Sequence, residues 1–267
     1  MPIEVQLLGV PSDVQSSYRR GAAGGPAAIR RAWQRYREFG SETSECGLEF
    51  GRDLELRDLG DVSLADSAAD WPAIADAAAE AARRGPLLCL GGDHAITYPL
   101  LEGIARVHGP VNLLHFDAHP DLYDSYEGNP LSHASPFARI MERGLAKRLV
   151  QVGVRSWNRH QREQAERFGV EVVGWEGFSP ARVPIPDAPL YVTIDLDGLD
   201  PAFAPGVWHP EPGGLSVRDI VGVLARIRCR VVGGDIVELN PAGDVGDTTA
   251  IAAVKLMKEM AAAMARG

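Results

Sequence analysis

The chain has 267 residues and carries 36 Asp and Glu against 27 Lys and Arg, which gives a formal net charge of -9. An apolar fraction of 45% is typical of a globular chain. An acidic chain without a dense basic stripe argues against a nucleic-acid partner, and no apolar run reaches the ~18 residues of a membrane helix. Three scattered cysteines and the absence of signal-peptide features predict a cytoplasmic protein with free thiols.

Short apolar runs alternate with amphipathic, Ala-rich stretches along the whole chain. The runs predict strands over 5–10, 54–59, 87–90, 111–116, 149–154, 170–173, 190–194 and 231–237. Helices are predicted between them over 27–39, 72–84, 99–108, 135–143, 159–168, 217–227 and 248–265. The nearly continuous hydrophobicity of the strands is typical of parallel strands buried on both faces. We therefore expect one α/β domain over residues 1–267, with helices on both faces of a mostly parallel sheet.

Acidic and imidazole side chains follow four of these predicted strands. The strand ends lead into Gly91-Gly-Asp-His94, Asp117-Ala-His-Pro-Asp121, Asp195-Leu-Asp-Gly-Leu-Asp-Pro201 and Glu238-Leu-Asn-Pro241. Functional groups of parallel α/β sheets gather at the carboxyl ends of the strands, so we expect these four segments to meet there.

Their spacing predicts a metal site. Side chains two apart in an extended segment point the same way, so Asp117, His119 and Asp121 share one side, as do Asp195 and Asp197. Together with His94 they would gather four carboxylates and two imidazoles, a cluster that two divalent cations would neutralise. This oxygen-rich set without thiolate suits Mn²⁺, and a water shared by two such ions is acidified enough to act as a nucleophile. The pattern therefore indicates metal-assisted hydrolysis.

Other acidic and imidazole side chains near these segments have structural interpretations. We interpret His115 as a packed core residue inside its strand and Asp200 as a turn residue before Pro201. Asp93 and Asp235 are expected to brace neighbouring loops or ligands.

The segments 91–94, 117–121 and 195–201 resemble the three metal-binding signatures of the ureohydrolase (arginase–agmatinase) superfamily. Further similarity covers nearly the whole chain, in Gly9-Val-Pro11, Gly24-Gly-Pro26, Ser132-His-Ala-Ser-Pro-Phe137, Glu211-Pro-Gly-Gly214 and Asp235-Ile-Val-Glu-Leu-Asn-Pro241. The resemblance implies the three-layer α/β/α fold of the arginase–deacetylase type, with two Mn²⁺ per subunit. It also implies a trimeric or hexameric homo-oligomer.

The resemblance assigns roles to individual residues. One Mn²⁺ would be held by His94, Asp117, Asp121 and Asp195, and the other by His119, Asp117, Asp195 and Asp197. A bridging hydroxide, oriented by Asp121, would attack a guanidinium carbon and release urea and an amine. Glu238 would pair with the guanidinium, and His133 would shuttle protons, a role that suits an imidazole titrating near neutral pH.

The substrate is the less determined part of this assignment. The stretch from Tyr126 to Glu142 looks most like plant-type arginases, which favours L-arginine, with agmatine next and guanidinobutyrate or formiminoglutamate after it. The loop over 122–129 departs from the animal-type pattern, and its Asn129 is a candidate substrate contact. Trp208 and His209 could narrow the pocket, or could simply pack their loop.

The acidic residues of the loop over 122–129 would favour agmatine over arginine. Asp124 and Glu127 would repel an α-carboxylate if they faced the pocket, which would favour agmatine. Two other functional classes fit the sequence less well than hydrolysis of a guanidino compound. A binuclear phosphoesterase should carry basic groups beside the metal motifs, and none flanks them; a non-catalytic relative would not need every ligand position and Glu238 intact.

Overall fold

Eight strands form one sheet in the computed structural model, which describes residues 2–40 and 42–267. The strands are β1 (Ile3–Val10), β2 (Leu54–Asp61), β3 (Leu87–Gly91), β4 (Val111–Phe116), β5 (Ala146–Val152), β6 (Glu171–Val173), β7 (Leu190–Asp195) and β8 (Val231–Val237). Their order is β2-β1-β3-β8-β7-β4-β5-β6, and every neighbouring pair is parallel. The prediction of a mostly parallel sheet is confirmed.

Seven α-helices cover this sheet in the described part of the chain. They are α1 (Gly25–Glu38), α2 (Trp71–Ala82), α3 (Thr97–His108), α4 (Pro136–Glu142), α5 (Arg159–Phe168), α6 (Val217–Leu224) and α7 (Thr248–Arg266). One apolar core joins α1, α6 and α7 to one face of the sheet. A second apolar core joins α2, α3, α4 and α5 to the opposite face. This confirms the three-layer α/β/α arrangement. Among the described helices, none combines the length and apolar character that crossing a bilayer requires.

The largest departure from the predicted elements is at β5, which begins at Ala146 rather than at residue 149. Its first residues include exposed Lys147 and part-exposed Arg148, so an apolar run does not mark them. Arg148 instead pairs with Glu171 of β6, with 2.6 Å between Nε and Oε1. The strand ends before Gly153, whose φ of 102° breaks the extended backbone.

The strand order brings the four motif-bearing strands side by side. β7 and β8, which come late in the chain, lie between β3 and β4. Because all four run parallel, their carboxyl ends open onto the same edge at the middle of the sheet. The segments that follow them are therefore neighbours in space, although they come from residues 91 to 241 of the chain.

Candidate metal centre

His94 lies at the centre of a first group of buried ligand atoms. It opens a short 3-10 turn directly after β3, where Asp93 caps the turn by accepting a hydrogen bond from the backbone N–H of Ala95. Its Nδ1 lies 3.1 Å from Asp117 Oδ2, 3.1 Å from Asp121 Oδ2 and 3.2 Å from Asp195 Oδ2. The four predicted ligands of the first ion are thus brought together in the interior.

A second group lies beside the first and shares Asp117 with it. His119 Nδ1 is 3.1 Å from Asp197 Oδ2 and 3.5 Å from Asp117 Oδ1. The two carboxylate oxygens of Asp117 therefore face different imidazoles, which is the geometry of a bridging ligand. Asp195 falls in the first group, and its Oδ1 accepts a hydrogen bond from the backbone N–H of Asp197 at 2.8 Å, so its predicted bridging role stays a prediction.

The hydrogen bonds around His94 show that this cage fits a cation. Its Nε2 lies 3.0 Å from Thr193 Oγ1, and that hydroxyl donates to Asp235 Oδ1 at 2.6 Å, so the hydroxyl oxygen is left to accept from Nε2–H. Nδ1 is buried, without a hydrogen-bond partner among the described residues, and lies against three carboxylate oxygens. Three buried carboxylates around one nitrogen require a positive charge among them, which a metal ion bound through the Nδ1 lone pair would supply.

The carboxylates of the centre repel one another. Burial, with the charges of Asp197 and Asp117, raises the pKa of Asp195 well above its ordinary range. Burial and the neighbouring Asp117 also raise the pKa of Asp197 to about 7, against the opposing effect of His119. Binding divalent cations would remove this conflict and release protons from the site.

His115 is the supporting residue that the sequence interpretation understated. It is fully buried and stacks on Phe137 with ring centroids 4.0 Å apart, as a core residue would. Its Nε2 also lies 2.8 Å from Asp117 Oδ2. Gln151 Nε2 donates to Pro120 O at 2.7 Å and lies 3.0 Å from His115 Nδ1, so Nδ1 accepts and Nε2–H donates to Asp117. The alternation that joins 117, 119 and 121 includes 115, and that signal was present in the sequence.

Glu238 and His133 form a second functional pair next to the metal-type groups. Glu238 Oε1 accepts a hydrogen bond from the backbone N–H of His94 at 2.9 Å and from His133 Nδ1 at 3.0 Å. His133 Nε2 lies 2.9 Å from Ser17 Oγ. Burial alone would lower the pKa of His133, but the hydrogen bond and charge of Glu238, with Asp93, raise it to about 9. Glu238 and Asp121 both have positive φ, 66° and 49°, a conformation that concentrates at functional sites.

A cavity of about 350 Å³ opens above these groups. Its polar floor consists of His119, Asp121, Asp195, Asp197, Glu238 and His133. Three aromatic side chains, Tyr123, Tyr126 and Trp157, line the wall, together with His209. The His209 ring lies 5.1 Å from the His133 ring, centroid to centroid, and therefore belongs to the cavity. The cavity can hold a ligand whose polar group faces the two cation sites and the Glu238 carboxylate. The rest of the ligand would contact the aromatic side chains of the wall.

The remaining predicted contacts lie away from this cavity. Asn129 donates to Gln15 Oε1 at 2.7 Å and is not among the lining residues. Trp208 packs beside Arg19 and donates from Nε1 to the carbonyl of Arg20, also outside the lining. Asp200 accepts hydrogen bonds from the backbone N–H groups of residues 202, 213 and 214, as a turn residue would.

Comparison with known proteins agrees with this geometry. A sequence model of the arginase family matches residues 3–263. The mitochondrial arginase 1 of Arabidopsis thaliana is 45% identical over 97% of this chain and 81% of its own length. The chain belongs to the arginase family. The solved structure of arginase from Medicago truncatula is 41% identical, has a TM-score of 0.88 and covers 98% of this chain and 87% of that one. An agmatinase of Bacillus anthracis is 33% identical over 96% of this chain and 90% of its own length.

Membership in the arginase family confirms the superfamily, the fold and the reaction class that the motifs predicted. The chain is a hydrolase acting on carbon–nitrogen bonds of amidines. Of the predicted site residues, His94 and Asp117 lie buried among the other four ligands, and Asn129 and Trp208 do not line the cavity. The predicted residues that line it are His119, Asp121, His133, Asp195, Asp197, His209 and Glu238. Ser17, on the loop after β1, lines the cavity and was not predicted as a site residue. The sequence Ser16-Ser17 has no feature that indicates a contact with His133.

Proposed function

We propose that this protein is a Mn²⁺-dependent arginase that hydrolyses L-arginine to L-ornithine and urea. The observation that carries the proposal is the pair of ligand groups that share Asp117 beneath the cavity, next to Glu238. The similarity to plant arginases over nearly the whole chain supports arginine as the substrate.

The metal ligands, Glu238 and His133 have different roles in the proposed hydrolysis. Two divalent cations bound by the six ligands would acidify a water molecule and so supply a nucleophile near neutral pH. Glu238 presents a carboxylate to the cavity, and a carboxylate can meet the paired N–H donors of a guanidinium with two parallel hydrogen bonds. Asp121, which lines the cavity, would accept a hydrogen bond from the attacking water and so fix its direction. His133, held by Glu238 through Nδ1, delivers a proton to the amine that leaves.

Manganese is proposed because of the donor set. The six side chains supply carboxylate oxygens and two imidazoles and no thiolate, a combination that suits Mn²⁺ better than a structural Zn²⁺ site. Asp117 would bridge the two ions. Dialysis against a chelator followed by addition of single metals, with the bound metal counted by mass spectrometry, measures both identity and number.

Two structural observations bear on arginine against agmatine. Asp124 is exposed and pairs with His160 at 3.0 Å, and neither Asp124 nor Glu127 lines the cavity, which removes the charge argument against arginine. However, the described lining residues include no Lys or Arg that would pair with an α-carboxylate. Agmatine is therefore the second candidate, followed by guanidinobutyrate and formiminoglutamate.

The test offers manganese-loaded protein all four compounds and measures release of urea or formamide. We expect the highest kcat/KM with arginine. A higher kcat/KM with agmatine would transfer the assignment to agmatinase, and no hydrolysis of any compound would refute the proposed function.

Three variants separate metal binding from catalysis. Asp117→Asn should lose bound manganese, because it removes a charge from both ligand groups. Glu238→Ala should keep much of the metal and lower kcat/KM roughly 10- to 100-fold, the range expected for loss of a charge-assisted contact. Glu127→Gln, an exposed acid outside the cavity, is the matched control and should behave like the native enzyme. Normal binding of two ions by Asp117→Asn would show that the ligand assignment is wrong.

We also propose a cytoplasmic homo-oligomer, trimeric or hexameric. The family resemblance supports the assembly, and three cysteines without a disulfide are compatible with a reducing compartment. Light scattering of the purified protein and fractionation of cells test these two points.

A further inference from the structure

His133 is a buried imidazole with both ring nitrogens occupied. Only 9% of the residue is exposed, Nδ1 lies 3.0 Å from Glu238 Oε1, and Nε2 lies 2.9 Å from Ser17 Oγ. A carboxylate only accepts, so Nδ1 carries a hydrogen in both protonation states of the ring. Any proton that enters or leaves the ring therefore does so at Nε2, on the side of Ser17.

Ser17 has the chemistry and the position to pass that proton on. A hydroxyl is both donor and acceptor, so Ser17 can donate to a neutral Nε2 and can accept from a protonated one by rotation of its hydrogen. Both residues line the cavity, but Ser17 is exposed whereas His133 is buried. The Ser17 hydroxyl therefore offers a hydrogen-bonded path from water to the Nε2 side of His133.

The loop that carries Ser17 is fastened to both halves of the site. The backbone N–H of Gln15 and the hydroxyl of Ser16 donate to Asp93 Oδ2, at 3.0 Å and 3.2 Å. Gln15 also accepts at its carbonyl from the backbone N–H of His133, at 3.2 Å. Asn129 holds the Gln15 side chain from the other side. Asp93 precedes a metal-type ligand, so the loop sets Ser17 in fixed register with both His94 and His133.

We infer that Ser17 is the proton-relay partner of His133, which rests on His133 serving the hydrolysis proposed above. In the uptake step a hydronium ion or buffer acid gives its proton to Ser17 Oγ, the original Ser17 O–H bond breaks, and that hydrogen forms the Nε2–H bond. The serine ends neutral, the donor has lost one proton, and the imidazole has gained one. The reverse transfer through the same two bonds discharges the ring.

Other ionisable groups face His133 and bear on its pH dependence. Glu238 follows β8, Asp93 follows β3, Asp121 follows β4, and the His209 ring lies 5.1 Å away. Replacing Ser17 leaves all four in place, so a change in the pH profile of Ser17→Ala reports on the Nε2 side of the ring.

The kinetic test compares manganese-loaded native enzyme, Ser17→Ala and Ser17→Thr. We expect Ser17→Ala to lower kcat about tenfold with little change in KM, a small part of the roughly 10²–10⁴-fold that general acid–base catalysis contributes. Adding imidazole buffer at constant pH and ionic strength should restore its kcat, because a diffusible acid can replace the lost hydroxyl. Ser17→Thr keeps the hydroxyl and should keep native kcat. Ser125→Ala, an exposed serine outside the cavity, is the control.

A second measurement is independent of turnover. In the full chain loaded with diamagnetic Mg²⁺, the ¹⁵N resonance of His133 Nε2 should shift in Ser17→Ala while that of Nδ1 stays. Native kcat and pH profile in Ser17→Ala, a defect that buffer and Ser17→Thr leave uncorrected, or an unchanged Nε2 resonance would each overturn the relay. If the native enzyme hydrolysed no guanidino compound, the proposed function would fail, and the Nε2 resonance would still decide whether Ser17 bonds to the ring.

Discussion

Replacing Thr193 by Val removes the acceptor on which the orientation of His94 depends. The Thr193 hydroxyl accepts from His94 Nε2–H and donates to Asp235, and all three side chains are fully buried. Val has nearly the same shape as Thr but offers no hydrogen-bonding atom. The variant therefore leaves a buried N–H without a partner directly behind the nitrogen that faces the carboxylates.

The size of the effect follows from this lost bond. Leaving a buried donor unsatisfied costs about 1–3 kcal/mol. The imidazole can avoid this cost by turning away or by moving its proton to Nδ1, and either change removes the lone pair from the three carboxylates. We therefore expect manganese to bind about 10- to 100-fold more weakly, as is typical when a contact behind a metal ligand is lost.

Thr97→Val is the matched control for this experiment. Thr97 is equally buried and donates to the other oxygen of the same Asp235, at 3.0 Å, whereas the hydrogen bond of the His94 ring is made with Thr193. Both variants should lower the free energy of unfolding of the metal-free protein. Only Thr193→Val should weaken manganese binding strongly, as measured by competition with a chelator of known affinity. Native affinity in Thr193→Val, or an equal loss in both variants, would refute the reasoning.

Three further predictions use other contacts of the site. His115→Leu removes the donor to Asp117 Oδ2 and should weaken manganese binding in the same competition assay, with native affinity counting against a supporting role. In metal-free protein the pKa of His133 is raised from 6.5 to about 9, so its ion pair with Glu238 stabilises the fold fully below pH 6.5 and is lost as the pH rises through 9. The unfolding free energies of native protein and His133→Ala should thus converge by on the order of 3 kcal/mol over that window, and a constant difference would contradict the shift. Manganese at 100 times its dissociation constant should stabilise the protein by about 2.7 kcal/mol for each of the two proposed ions, which chelator-controlled melts would measure.

Most of the metal centre could be predicted because its geometry is local. Each ligand lies within a few residues of a strand end, and alternation along Asp117, His119 and Asp121 fixes which side chains lie together. Parallel strands then bring the segments to one edge. The same rule would have placed His115 beside Asp117, but its apolar surroundings favoured a purely packed interpretation.

The parts that sequence did not predict depend on contacts between distant loops. Ser17 reaches His133 because Asp93 and His133 both bind the loop that carries it. Asp93 lies 77 positions along the chain from Ser16, which donates to it, and His133 lies 116 positions from Ser17. Asn129 was expected to contact the substrate. Its side chain donates instead to Gln15, which lies on the loop that carries Ser17. The polar start of β5 was missed because its pairing with Glu171 lies at the edge of the sheet, where hydrophobicity is a weak guide.

The strand order has a consequence for how the site is assembled as the chain is made. His94 and Asp117 come from strands that are separated in the sheet by β7 and β8, so their neighbourhood depends on segments near residues 195 and 238. A nascent chain that ends before β7 lacks Asp195, Asp197 and Glu238 and cannot set the β3 and β4 ends at their final spacing. The enzyme is thus expected to acquire its ions only after synthesis has passed β8, which couples metal loading to completion of the polypeptide and limits capture of wrong metals by partial chains.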